Sequence, residues 1–131
     1  MPKPLRHSER IVDWIQVSQD AVLKHAELMC KDSRAANRHF DRSIEAWREL
    51  SQQGDTGFSA LSKLLGHESV VVRVTTTTYL LPHRTEDALQ VLRSARQAGN
   101  PLAIVTLARW ERGFYIDPLT NCEVPHDAAG P

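Results

Sequence analysis

The chain has 131 residues with 16 basic and 16 acidic side chains, so its formal charge is zero, against the large positive excess of a generic nucleic-acid or membrane-surface binder. Two cysteines, Cys30 and Cys122, make no disulfide scaffold, and no apolar run approaches the roughly 20 residues of a membrane span. Residues 1–6 lack the apolar stretch of a secretory signal, so a cytoplasmic protein is expected.

The first pattern lies between Ser8 and Cys30. Ile11, Ile15, Val22, Ala26 and Met29 recur at helical steps, with Trp14 and Ala21 beside them. Ser8 is the expected N-cap, and Cys30 is expected to be buried and inert at the helix end. The carboxylates of Asp13, Asp20 and Glu27 share one face and read as a solvated stripe. After a polar break at Lys31-Asp32-Ser33, a second stripe runs through Ala36, Phe40, Ile44, Trp47 and Leu50 towards Gly54. Its opposite face carries Arg34, Arg38 and Arg42, then Glu45 and Glu49. Two readings apply to that face. It is a solvated surface laced with pairs such as Arg42–Glu45, or an arginine stripe for a partner.

Shorter pieces follow. Gly54-Asp55-Thr56-Gly57 reads as a turn, and Phe58, Leu61, Leu64 and Leu65 as a short helix. Ser69 is the expected N-cap of residues 70–81, which Pro82 closes. That segment is mostly β-branched, and propensity alone makes it a strand. No other strand is in sight to pair with it, so a helix is expected, with Val71, Val74, Thr78 and Leu81 on its buried stripe. Thr85 is the expected cap of the next helix, whose buried face is Ala88, Leu92 and Ala95. Gly99-Asn100-Pro101 marks a helix stop, an N-cap and a first-turn proline. The last helix is expected to bury Leu102, Val105 and Ala108, flanked by Ile104 and Leu107, and to end near Gly113.

Gly66-His67 and Gly99-Asn100 lie 33 residues apart (99 minus 66), a spacing that suits a two-helix repeat. The expected fold is all-α: a stack of about three antiparallel helical hairpins over residues 1–114. An irregular tail over residues 115–131 follows. The stretch Leu64-Leu65-Gly66-His67-Glu68-Ser69-Val70-Val71-Val72-Arg73 resembles the short-helix, turn, Val-Arg signature of HEAT-like repeats. The order of parts also resembles a bacterial family of small HEAT-like proteins catalogued as a domain of unknown function. The matching parts are Asn37-Arg38-His39-Phe40, the His67 to Arg73 repeat, Ala88 with Leu92, and Ala108-Arg109-Trp110-Glu111-Arg112-Gly113. Thr75, Thr76, Thr77 and Thr78 depart from the small residues usual there. The resemblance implies a fold and no activity. It also implies that Arg73 braces the inter-helix turn through backbone carbonyls or Glu68.

Catalytic chemistry is not expected. There is no nucleophile elbow, no glycine-rich phosphate loop, no HExxH and no CxxC. Cys122 and His126 lie four apart, but two ligands do not close a zinc site. No cofactor or metal is expected, and the chain is read as non-enzymatic. Trp47 and Phe40 are read as structural. Trp110, Phe114 and Tyr115 close the last helix, where the tail folds over them or a partner does. The expected function is a protein-interaction module, in its sharper form a bacterial immunity protein or antitoxin that blocks a cognate toxin. A nucleic-acid binder using Arg34, Arg38, Arg42, Arg93 and Arg96 is the alternative. From Asn100 onward two arginines face four acids, so the neutral total still allows local patches suited to one protein partner.

Overall fold

A computed structural model describes residues 7–120 and 122–124, and the side chains from Arg10 onward. Six α-helices run in order among these residues: α1 (His7–Leu28), α2 (Ser33–Ser51), α3 (Asp55–Ser62), α4 (Val70–Leu80), α5 (Thr85–Gln97) and α6 (Pro101–Glu111). A 3-10 turn, Lys63–Gly66, joins α3 to the segment before α4. The protein is all-α over the described residues, with one isolated β-bridge between Ile116 and Glu123. The expected roles of the Ser8 side chain and of His126 fall outside what is described. The chain forms two compact units, Met1–Leu61 and Ser62–Pro131.

In the first unit α1 and α2 pack along their length, joined by only residues 29–32. So short a connection makes neighbouring helices antiparallel. Cross-contacts agree: the His25 Nδ1–H donates to the Ala36 carbonyl at 2.9 Å, while Ser18, farther back on α1, meets Trp47, farther along α2. Ile11, Ser18, Ala21 and Val22 are buried from α1, and Ala36, Ser43, Ala46, Trp47 and Leu50 from α2. Phe40 is half-buried and meets His25 edge-on at 5.4 Å. Ser18 was not legible as core, because serine carries no hydrophobic signal. Its hydroxyl accepts from the buried Trp47 Nε1–H at 2.7 Å, which satisfies an otherwise costly polar group.

Two expectations fail at the end of α1. Met29 is 58% exposed and Cys30 is exposed. The helix stops at Leu28, whose carbonyl accepts from the Lys31 and Asp32 amides. Met29 and Cys30 therefore lie in the turn, off the helical register that sequence periodicity extends to them. The Asp32 side chain then caps α2 by accepting from the Ala35 amide.

The second unit is built around α4, which touches the 3-10 turn, α5 and α6. Residues 70–80 are helical despite their β-branched content. Burial falls on Val72, Val74, Thr76, Thr77, Tyr79, Leu80 and Leu81, while Val71 and Thr78 of the expected stripe are only half-buried. With neighbours on several sides, nearly every position is apolar or threonine, and no unique face can be read. Two of the threonines satisfy their hydroxyls within their own helix, while the buried Thr76 hydroxyl has no partner among the described residues. Thr77 donates to the Val74 carbonyl at 2.5 Å and Thr78 to that of Thr75 at 2.6 Å.

Two expected caps work differently. Ser69 precedes α4 but makes no side-chain cap; its amide instead donates to His67 Nδ1 at 2.9 Å. Thr85 is the first residue of α5, not its cap, and its hydroxyl donates to the Leu81 carbonyl. Ala88, Leu92 and Ala95 are buried as expected. So is the α5–α6 punctuation borne out. Gly99 has φ of +83°, its amide donates to the Arg96 carbonyl, and the Asn100 amide donates to that of Ala95. The Asn100 side chain accepts from the Ala103 amide, with Pro101 in the first turn.

The α6 face is reversed from expectation. Ala103, Thr106 and Leu107 are buried, while Leu102, Ile104 and Val105 are 43%, 44% and 46% exposed. Gly113 closes α6 at φ +78°, in the same pattern as Gly99. Beyond it the chain doubles back: the Asp117 amide donates to the Cys122 carbonyl, and the Val124 amide to that of Tyr115.

Candidate functional site

Four features bear on function, one in the first unit and three in the second. On α2, Arg34, Arg38 and Arg42 are all exposed. Arg42 is already engaged: its Nη1 lies 2.7 Å from Glu45 Oε1, and its guanidinium stacks 5.3 Å from the Trp14 ring centroid. Arg34 and Arg38 make no ion pair among the described residues. Asp41, Glu45 and Glu49 interleave with them, so the face is mixed in sign.

At the end of α6, Trp110, Phe114 and Tyr115 separate in role. Tyr115 is buried and meets Trp110 edge-on at 5.6 Å. Phe114 is 65% exposed. Burial, with Asp117 nearby, pushes the Tyr115 phenol well above its ordinary range, and its hydroxyl has no hydrogen-bond partner among the described residues. Close by in charge terms, His83 lies below its ordinary pKa, chiefly through desolvation, with Asp117 opposing and Arg84 adding. Its ring is 6.0 Å from that of Tyr79.

The outer face of α6 was missed by sequence reasoning. Leu102 and Val105 are one turn apart, with Ile104 farther round, and all three are exposed. Ile116, just beyond the helix, is also exposed. Their apolar character was assigned to the core. The usable signal was the pair Ala103 and Thr106, small residues whose face suits close helix approach.

The fourth feature is a half-open cleft of about 330 Å³ between the start of α4 and the side of α5. Leu65, Val70 and Val91 wall it, and Arg73, Gln90 and Ser94 supply its polar atoms. Arg73 is half-buried, and its Nη1 donates to the carbonyls of His67 at 2.7 Å and Glu68 at 3.0 Å. Two carbonyls held by one guanidinium fix the turn ahead of α4.

Among the described residues no three potential metal ligands converge, and no helix is long and apolar enough to cross a membrane. No protein-family model, curated protein or solved structure matches this chain.

Proposed function

We propose that this chain is a non-catalytic protein-interaction module of the HEAT-like helical-repeat type. The observation that carries the reading is the outer side of α6, where Leu102 and Val105 are exposed one turn apart, with Ile104 exposed farther round. Exposed apolar residues that gather on one face mark interaction sites more often than scattered ones do. The glycine-bearing turns before α4 and α6, and the grip of Arg73 on the first of them, support the repeat reading. The partner is another protein, and a cytoplasmic toxin neutralised by its immunity protein or antitoxin is the sharpest form of that partnership. This form rests on size and fold type alone, an argument by analogy. Nucleic-acid binding has weaker support, since Arg42 is held by Glu45 and Arg96 by Glu111.

Co-expression with the product of the adjacent gene tests this reading. A stable complex is expected, protecting the host if that product is toxic. Val105→Asp is expected to abolish the complex without changing the melting temperature, because the position is exposed. A complex unaffected by Val105→Asp and Leu102→Asp refutes the assignment to α6. Absence of any complex refutes the interaction function.

A further inference from the structure

The Arg73 guanidinium is only partly used. Nη1 serves both turn carbonyls, and the edge formed by Nε–H and Nη2–H has no partner among the described residues. Glu68 contributes its backbone carbonyl, and its carboxylate makes no ion pair with Arg73. Among the described residues no acidic side chain lines the cleft. The two carbonyls are neutral acceptors, so a carboxylate arriving from outside adds a charge-assisted contact that the turn itself does not supply. The free edge matches the two oxygens of a carboxylate in fork geometry. Beside it lies the apolar hollow of Leu65, Val70 and Val91. At about 330 Å³ the space sits at the low end for ligand sites. It suits one or two side chains and is too small for a large cofactor. Its open mouth lets a chain enter and leave, and Gln90 and Ser94 supply groups that can meet a passing peptide backbone.

We infer that this cleft docks an acidic peptide segment of the partner protein. A carboxylate seats on the free edge of Arg73, and a neighbouring aliphatic side chain fills the hollow of Leu65, Val70 and Val91. The inference rests on the protein-interaction reading and names a second contact for it.

The full chain, labelled with ¹⁵N, is titrated with acetyl-Leu-Glu-Leu-amide, with its Gln counterpart, and with sodium acetate. Expected shifts fall at residues 70–73 and 90–98 and on the Arg73 Nε–H signal. The Gln peptide and acetate are each expected to bind about tenfold more weakly, since one loses the charge and the other the apolar contact. Arg73→Ala removes the turn brace and risks the fold, so two milder variants are used. Arg73→Lys keeps the charge, loses the fork and is expected to weaken binding about tenfold. Ser94→Leu fills the cleft from an exposed helix position and is expected to abolish binding at unchanged melting temperature. Equal binding of the Gln peptide, equal binding of acetate, shifts elsewhere or full binding by Ser94→Leu each overturn the inference. A partner complex that survives Ser94→Leu but not Val105→Asp overturns the cleft alone. Failure of the unaltered chain to form any complex overturns the interaction reading instead.

Discussion

Gly57→Ala separates local propensity from tertiary packing by sign. Gly57 is the third residue of α3 and is buried. Propensity favours alanine there by about 1 kcal/mol. Space opposes it: a Cβ would lie 1.8 Å from the Leu50 carbonyl oxygen and 2.8 Å from its carbon. Ordinary contact begins at 3.4 Å, so the two segments must part by 1.6 Å (3.4 minus 1.8). Leu50 cannot swing aside, because the obstruction is backbone, and its oxygen already accepts from the Gln53 amide at 3.0 Å. Overpacking of this kind costs about 1–3 kcal/mol and sometimes more. A backbone clash this close takes the upper end of that range, so after the propensity gain a net loss of about 2 kcal/mol is expected, or about 6–8 °C in melting temperature for a chain of this size. Urea unfolding followed by far-ultraviolet circular dichroism gives the number. Gly66→Ala is the control, since a Cβ there meets nothing within 4 Å and φ is not positive; it is expected to change little. A Gly57→Ala variant as stable as the parent refutes the close approach of α3 to Leu50.

Ser18→Ala takes the acceptor from the buried Trp47 Nε1–H and is expected to cost about 1–3 kcal/mol in urea unfolding. Gly99→Ala forces a side chain into φ of +83° and is expected to cost about 1–2 kcal/mol, read as a lower melting temperature. Tyr115→Phe deletes a buried hydroxyl that has no partner among the described residues, so stability at neutral pH is expected to hold or rise. The same variant tests linkage. The folded-state pKa of Tyr115 is raised, so its contribution is complete below the ordinary phenol value of about 10 and is lost as pH rises towards the folded value. Melting temperatures compared from pH 7 to 11 are expected to fall more steeply above about pH 10 in the parent than in Tyr115→Phe. Parallel curves refute the buried, neutral phenol.

The sequence alone carried the features that act within a turn or two of chain. Helical periodicity, Asn100 followed by Pro101, and glycine where φ is positive all depend on local backbone geometry, so they are legible without knowing the neighbours. The helical state of residues 70–80 was legible by elimination, for want of any strand to pair with. Which side of each helix is buried was another matter. In α2, polar residues fill one face, and the buried face follows. In α4 and α6 apolar residues surround the axis, and several faces are chemically acceptable. There the choice was made by the neighbours: Ala103 and Thr106 turn inward on α6, and Leu102, Ile104 and Val105 turn out to solvent. Ser18 became core because Trp47 needed an acceptor, and Cys30 became surface because α1 ended two residues earlier. The candidate site followed the same rule. Arg73 was expected as a brace from the resemblance of its segment to HEAT-like repeats, but the cleft beside it exists only because α5 passes the start of α4. Local chemistry fixes what each segment is; only close packing between segments fixes which atoms remain for a partner.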